Sequence, residues 1–423
     1  SSSAHLRDVG YSGFSDNEAS IFGKRFYRKH TLSGDLNYSR NAVHYYGYDT
    51  SLNKLERDFT RQRYQLIEPR LRLLSHYTDS THINHDIRLG FYNLQNLHKE
   101  AENNIKAEAF TSMFLNKEKL NVHFFTDFYN HKQGTDTLND LMIGLSPSFE
   151  ANGKKWHADI GLNGTLDNFK GRSRFYFYPK LNVYYDIYES LIIPYAGVTG
   201  GLLKNSLRSL SNQNPFIDTT INYVNTNNRM NLFGGLRGNI SSNTSYDAKV
   251  TYSVYDSLQF FVMNYGGLNQ VYNRFSIVYD NTTLLNLSAQ IKYQLKEKWN
   301  LIAGGNYYLY KTKNLVRPYH KPEFDMTFTA IYNLQSKIIL KADLFVMGRQ
   351  WALTEVTEEG VYSLKPKLIS GWADMNLEAE YRYSKMMSFF VRFNNIANQR
   401  YYRWERYPSQ RFNFMLGLTF VPF

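Results

Sequence analysis

The chain of 423 residues contains no cysteine and no long apolar run. The first absence excludes a disulfide framework and thiolate metal sites. The second excludes a membrane-spanning helix, which needs about 18 or more consecutive apolar residues. The stretch that comes nearest, 191–203, is interrupted by Pro194 and several small residues. The N-terminal residues also lack the charged and apolar regions of a signal peptide, so we expect a mature or truncated start.

Basic residues are not gathered into a block that would indicate nucleic-acid binding, although the formal net charge is +12. Mean hydropathy is only −0.49, yet the chain contains 35 Tyr and 29 Phe, more aromatic residues than a soluble core needs. A transmembrane β-barrel explains both values, because only alternate residues of each strand face lipid while the lumen and the loops stay polar.

Many segments of the chain alternate between apolar and polar side chains. From Leu285 to Leu295 the odd-numbered residues are apolar and the even-numbered residues are polar. We predict a single long strand over 273–295, with two strands as the alternative. Short turns alternate with longer loops, which are predicted near 257–271, 351–366 and 398–410 among other places. This is the pattern of periplasmic and extracellular connections in outer-membrane barrels.

The sequence therefore predicts an all-β fold, a transmembrane antiparallel up-and-down β-barrel of about 18 strands, within a range of about 16–22. A soluble barrel or sandwich is the alternative. It is disfavoured because charged residues on one face of every strand would prevent a dry core.

The end of the chain indicates its location. Its apolar residues have a period of two and form a predicted barrel assembly signal: Phe412, Phe414, Leu416, Leu418, Phe420 and the terminal Phe423. A last strand with an aromatic residue at its end is typical of bacterial outer-membrane barrels. We therefore predict a bacterial outer-membrane location, with outer-membrane lipid and lipopolysaccharide as partners and no nucleic acid.

Two regions are predicted, an N-terminal periplasmic segment over 1–29 and the transmembrane barrel over 30–423. If the apolar positions face lipid, the charged positions between them face the lumen. The lumen-lining candidates are Lys180, Asp186, Lys292, Asp343, Asp374, Glu378, Arg382 and Arg392. The longest loop, 206–228, has the length to fold inward.

No residue pattern indicates a catalytic, metal or cofactor site. The densest cluster contains His82, His85 and Asp86, but alternation places His85 and Asp86 on opposite faces of a strand. We interpret both histidines as rim residues and predict that the protein is not an enzyme and has no cofactor. His123 and His157 are expected to point inward, towards each other or towards acids.

The region 393–420 contains several short motifs in a fixed order. It begins Phe-Asn-Asn-Ile-Ala-Asn-Gln-Arg-Tyr-Tyr at 393–402, and it continues through Tyr407-Pro408 and Arg411-Phe412 to a final strand closing at Phe420. These motifs resemble the end of TonB-dependent receptor barrels over about 30 residues. The resemblance implies a barrel of about 22 strands, an N-terminal plug and a TonB box. The chain is short for that strand number, and neither a plug nor a TonB box is evident in it.

Transport of a hydrophilic solute across the outer membrane, or passive conduction of it, is the leading functional hypothesis. The alternative is a plugless barrel that serves as a structural subunit of a larger outer-membrane assembly or secretion complex. In either case lipoproteins or other barrels are candidate envelope partners. A lipid-modifying enzyme is a third hypothesis, tested by replacing His85 and His123.

Overall fold

A computed structural model describes residues 2–4, 12–47, 56–78, 81–218, 220–265, 273–358 and 361–421. In this part of the chain, no helix combines the length and the apolar character that crossing a bilayer requires. Phe423 of the predicted assembly signal lies outside the described residues.

Strands dominate the structure, and only two short helices are described, α1 (Arg57–Thr60) and α2 (Leu207–Gln213). The first twelve strands are β1 (Ser2–Ala4), β2 (Phe14–Phe26), β3 (His30–His44), β4 (Arg61–Ser75), β5 (Asn84–Asn96), β6 (Ala101–Leu115), β7 (Glu118–Gln133), β8 (Asp136–Asn152), β9 (Trp156–Phe169), β10 (Arg172–Tyr185), β11 (Ile193–Leu203) and β12 (Thr226–Ser241). The others are β13 (Thr244–Met263), β14 (Phe275–Leu295), β15 (Trp299–Thr312), β16 (Phe324–Leu334), β17 (Ile338–Met347), β18 (Gln350–Glu358), β19 (Val361–Ile369), β20 (Trp372–Arg382), β21 (Met387–Asn394), β22 (Tyr402–Trp404), β23 (Tyr407–Pro408) and β24 (Asn413–Phe420).

Among the described residues, one sheet contains 20 strands, of which β1 is only three residues long. Pairing is antiparallel and joins neighbours in the chain, except where β17 pairs with β20 and β21 pairs with β24. This up-and-down order agrees with the predicted fold class and strand number. The segment 273–295 forms one long strand, β14, as predicted.

The predicted long loops at 351–366 and 398–410 contain structure of their own, because β18 pairs with β19 and β22 pairs with β23 as separate two-stranded sheets. Several strands also exceed the 9–11 residues that cross a bilayer, and β13 has 20 residues. Because β13 continues to Met263, the first part of the loop predicted near 257–271 is strand. The predicted boundary at residue 30 stays a prediction, although β2 lies before it and pairs with β3.

The chain divides into two compact units, and the first comprises 1–184, 196–232 and 254–281. Its strands have two different faces, as the period of two requires. One face is apolar and open, with Leu71 at 56% and Ile105 at 57% exposure. The other face is polar and largely covered, with Glu102 at 0% and Asp140 at 1% exposure. This arrangement reverses that of a soluble sheet and agrees with contact between the apolar face and lipid.

The second unit comprises 185–195, 233–253 and 282–423. The same alternation continues in it, and Leu287 and Ile291 of β14 are exposed. Five side chains of the predicted assembly signal are exposed, and their role in assembly stays a prediction: Phe412, Phe414, Leu416, Leu418 and Phe420.

Candidate functional site

A chain segment that connects β11 to β12 lies against the polar face of the first unit. This segment, residues 204–225, corresponds to the long loop that the sequence predicts over 206–228. Its helix α2 begins at Ser206, whose hydroxyl accepts from the Ser209 amide at 3.2 Å while the Ser209 hydroxyl accepts from the Ser206 amide at 2.8 Å. Such a capping box satisfies amides that a helix start leaves unpaired. Leu207 and Leu210 of the helix are buried to 1% and 0% exposure.

Glu102 of β6 receives the start of this helix. Its carboxylate accepts from the backbone amide of Leu207 at 2.5 Å and from that of Arg208 at 3.3 Å. The Tyr92 hydroxyl donates to the same carboxylate at 2.5 Å, and Nδ1 of His131 lies 2.9 Å from it. A fully buried carboxylate is tolerated only with such partners, so the helix and the strands satisfy each other here.

Two cations of the segment form further ion pairs with strand residues. Arg208 makes a bidentate pair with Glu68 at 2.8 and 3.0 Å, and its guanidinium lies 4.6 Å from the ring centre of Tyr92. Lys204 pairs with the buried Asp140. Bidentate arginine pairs fix orientation as well as position, so the helix is held in one register on the sheet.

The second half of the segment is held through its backbone. The Tyr64 hydroxyl donates to the carbonyl of Pro215 at 3.2 Å, and the Tyr45 hydroxyl donates to that of Ile217 at 3.0 Å. Ile217 also forms a parallel bridge with Phe275. The described part of the segment is thus anchored at both α2 and 215–217 and is not an open loop.

Two polar cavities remain beside the segment, within the first unit. One of about 700 Å³ lies between α2 and the charged residues of β3 to β7, and one of about 660 Å³ lies on the side of Asp16 and Arg40. Both are large enough to hold a small hydrophilic solute together with water.

The lumen-lining candidates of the sequence have the following contacts, and their orientation towards a lumen stays a prediction. Lys180 pairs with Asp159 at 2.7 Å and borders another cavity of the first unit. Asp186 lies just beyond the end of β10 and accepts from the Ser190 amide at 2.8 Å, which makes it a turn residue. Lys292 is exposed on β14.

The remaining candidates belong, like Asp186 and Lys292, to the second unit, and they pair with residues of that unit. Glu378 pairs with Arg392 at 2.5 Å, and Arg382 pairs with Glu380 at 3.1 Å. Asp343 accepts from Thr329 at 2.7 Å and pairs with Lys341 at 2.8 Å, and Asp374 accepts from the Tyr401 hydroxyl at 2.7 Å.

Among the described residues, the rings of His30 and His85 lie 5.2 Å apart, and both lie beside Tyr77. His82 stacks on Tyr77, His123 stacks on Phe110 with Glu108 at 3.9 Å, and His157 lies beside Asn152 at 2.7 Å. Over the described ranges, no group of three or more histidine or acidic side chains is arranged to hold a metal ion.

Glu68, Glu102, Asp140 and Arg208 were missed by sequence reasoning. The only available signal was position, because the three acids occupy polar positions of strands and Arg208 lies in the longest loop.

The motif that carries the sequence resemblance is organised around Asn395. Its side chain donates to the carbonyls of Gln399 and Gln410 at 2.6 and 2.8 Å and accepts from the Gln399 amide at 3.0 Å. Its φ of +49° lies in the left-handed region, which asparagine tolerates better than most residues. Asn395 thereby closes the loop between β21 and β24.

No protein-family model matches the sequence, and no curated protein matches it either. Solved structures do match. The pyoverdine outer membrane receptor FpvA from Pseudomonas aeruginosa PAO1 is 11% identical with a TM-score of 0.71, over 99% of this chain and 72% of that chain. The FrpB iron transporter from Neisseria meningitidis (F3-3 variant) is 9% identical with a TM-score of 0.73, over 97% and 72%. The siderophore receptor PirA from Acinetobacter baumannii is 10% identical with a TM-score of 0.71, over 97% and 71%.

The chain has a TonB-dependent receptor-like fold. The predicted fold class, an all-β outer-membrane barrel, is confirmed by these neighbours, and the predicted outer-membrane location agrees with them. The three neighbours are described as receptors and as a transporter, which agrees with the expectation that this chain is not an enzyme. At about a tenth sequence identity the likeness is one of fold, and it extends over about 70% of each neighbour's length.

Proposed function

We propose that this chain is an outer-membrane transport barrel of TonB-dependent receptor type, which carries a hydrophilic solute past the 204–225 segment. The apolar face of the strands lies in the membrane. The polar face lines the route, and the segment narrows it. The names of the neighbours support transport, since they include the FrpB iron transporter and the copper transporter OprC beside the siderophore receptor PirA. They do not identify the solute.

One observation supports this proposal above the others. A chain segment with its own helix is fixed onto the polar face of the strands by Glu102, Glu68 and Asp140, and polar cavities of about 700 and 660 Å³ remain beside it. A purely structural wall needs no such segment. A transport route uses one to restrict what passes.

The structural-subunit alternative has no support among the neighbours, whose names describe receptors and transporters. The proposed outer-membrane partners are lipid and lipopolysaccharide around the apolar face, together with envelope proteins. A pyocin complex is known for one neighbour, FpvAI.

Conductance in a planar bilayer tests the proposal. The purified protein is compared with a variant in which a short Gly-Ser linker replaces residues 206–224. A variant with the same replacement of the β18–β19 hairpin is the control. We expect the linker at 206–224 to raise the conductance and the hairpin replacement to leave it unchanged. Absence of channels from both the parent protein and the linker variant, with other envelope proteins co-purifying, would favour the structural subunit.

A further inference from the structure

Four cations form a compact group on the polar face of the first unit. They are Arg70 and Arg72 of β4, Arg88 of β5 and Lys106 of β6, and we call them the basic group. All four border the cavity of about 700 Å³ beneath α2. Their side chains are 42–52% exposed, so they present their charge to the cavity.

Strand register brings these charges together. Arg72 lies directly opposite Arg88, and Arg70 lies opposite Gly90, which in turn lies opposite Lys106. Like charges placed directly across a strand pair are unfavourable unless an anion offsets them. Gly90 leaves the centre of the group open, because a Cβ built there has only Arg70 Cγ within 4 Å, at 3.8 Å.

The acids on the strands offset this charge only in part. Asp86 alone serves both Arg72, at 2.7 Å, and Arg88, at 2.5 Å, and its own side chain is only 13% exposed. Arg70 pairs with Asp35 and Lys106 pairs with Glu108, and in each pair the cation is the more exposed partner. Six cationic and four acidic side chains line the cavity. With Asp86 and Asp140 included, the formal charges around the cavity balance, but the four cations of the basic group share only three acidic partners, Asp86, Asp35 and Glu108.

Helix α2 completes the cavity on the opposite side. Its segment contributes Ser206, Ser209 and Asn212 together with the cations Lys204 and Arg208. Hydroxyl, amide and guanidinium groups that border one cavity of about 700 Å³ from two sides are the donor types that bind oxyanions.

We infer that the cavity between α2 and the basic group is a binding subsite for multiply charged oxyanions, of the kind that a phosphorylated or polycarboxylate solute carries. The arginines take the oxygens through paired N–H groups, and Lys106 adds a point charge. The Asn212 side-chain amide of the segment supplies neutral N–H donors from the α2 side of the cavity. This subsite deepens the proposed transport function and rests on it for the nature of the solute.

Equilibrium binding in detergent tests the inference without a membrane. Isothermal titration calorimetry measures inorganic pyrophosphate and citrate against the folded protein, at low and at high salt. Binding by the parent protein is compared with binding by the double variant Arg72→Gln, Arg88→Gln. The matched control is Arg392→Gln in the second unit, whose arginine is 43% exposed and paired with Glu378.

We expect at least one of the two anions to bind the parent protein and the control equally. We expect the double variant to bind it about tenfold more weakly or worse, because charge-assisted hydrogen bonds are lost. High salt should weaken the binding through screening. Binding of only one anion identifies the class of solute. If the double variant fails to fold, Arg88→Gln replaces it, since Asp86 then keeps Arg72 as its partner.

Failure of both anions to bind the parent protein, or equal binding by parent and variant, would overturn the inference. Neither result touches the conductance experiment, so open channels without anion binding would leave the transport proposal in place. Conversely, anion binding by a protein that forms no channels would retain the subsite and remove the proposed transport.

Discussion

Replacement of Glu102 by alanine should release the 204–225 segment without unfolding the sheet. Glu102 is the single acceptor for the Leu207 amide at 2.5 Å, and it also accepts from Tyr92 at 2.5 Å. Alanine leaves these donors buried with no acceptor, and it removes the charge beside His131. The free-energy cost of the unpaired amide therefore falls on the first turn of α2.

The size of the effect follows from the number of bonds lost by the segment. A hydrogen bond to a charged group contributes about 1.5–3 kcal/mol, and loss of one partner of a buried charged cluster costs about 3–5 kcal/mol. The Leu207 and Arg208 amides are the two donors to Glu102 that belong to the segment. We therefore assign about 3 kcal/mol of the total cost to weaker binding of the segment to the sheet. At 1.4 kcal/mol per factor of ten, opening of the segment becomes about 150-fold more frequent.

Hydrogen–deuterium exchange measured by mass spectrometry reports this opening directly. The Leu210 amide donates to Ser206 at 3.0 Å and the Asn214 amide donates to Leu210 at 2.9 Å, so peptides from the segment carry protected amides. These peptides should exchange about 150-fold faster in Glu102→Ala. Peptides from β6 and β7 should keep their exchange rates.

Glu108→Ala is the matched control. Glu108 lies on the same strand and face as Glu102 but pairs with Lys106 at 2.9 Å and not with the segment. Its replacement should leave exchange in 204–225 unchanged. Equal exchange of the segment in the parent protein and in Glu102→Ala would refute the reasoning, since the carboxylate would then not be its anchor.

Three further outcomes follow from the structure. Leu287→Arg, on the exposed apolar face, should destabilise the protein by about 2–4 kcal/mol or block its assembly, whereas Gln290→Arg should be tolerated; equal urea sensitivity of the two variants would contradict the assignment of faces. Asn395→Ala should lower the free energy of unfolding by about 2–3 kcal/mol, because the variant loses side-chain hydrogen bonds and places alanine at a left-handed backbone position. The fraction of folded protein, measured by gel mobility shift, reports this loss of stability. Burial lowers the pKa of His320, in a loop outside the long strands, to about 3, so its NMR signal should not titrate between about pH 5 and 8. Because the unfolded histidine takes up its proton near pH 6.5, packing of that loop should weaken as the pH falls from about 6.5 towards 3, and a folded-state midpoint near 6.5 would contradict this.

The sheet was predictable from the sequence because its signal is local. The period of two in each strand predicts which of its faces is apolar. In β14 and in the final strand, β24, the apolar side chains that this period predicts as outward-facing are exposed. The hairpin β18–β19 was predicted as loop. A strand that does not cross the membrane needs no complete apolar face, so the pattern that marks the other strands is weaker there.

The candidate site could not be predicted in the same way. Glu102 and Leu207 are separated by 105 residues in the chain, and Glu68 and Arg208 by 140. Neither pairing leaves a local pattern, because an acid at a polar strand position is equally suited to water. The sequence identified the loop by its length, and the contacts depend on where antiparallel pairing places each strand.

The segment depends on the sheet more than the backbone of the sheet depends on the segment. Backbone groups of the long strands are satisfied by neighbouring strands, so the sheet keeps its hydrogen bonds when the segment leaves. A seven-residue helix is too short to be stable alone, so α2 requires Glu102 and Glu68 on the strands. Substitutions at these two acids should therefore alter the segment and the conductance while leaving the β-sheet circular dichroism signal unchanged. Loss of that signal in Glu68→Gln, which keeps the shape of the side chain, would show that the segment is part of the structural core and not a separable constriction.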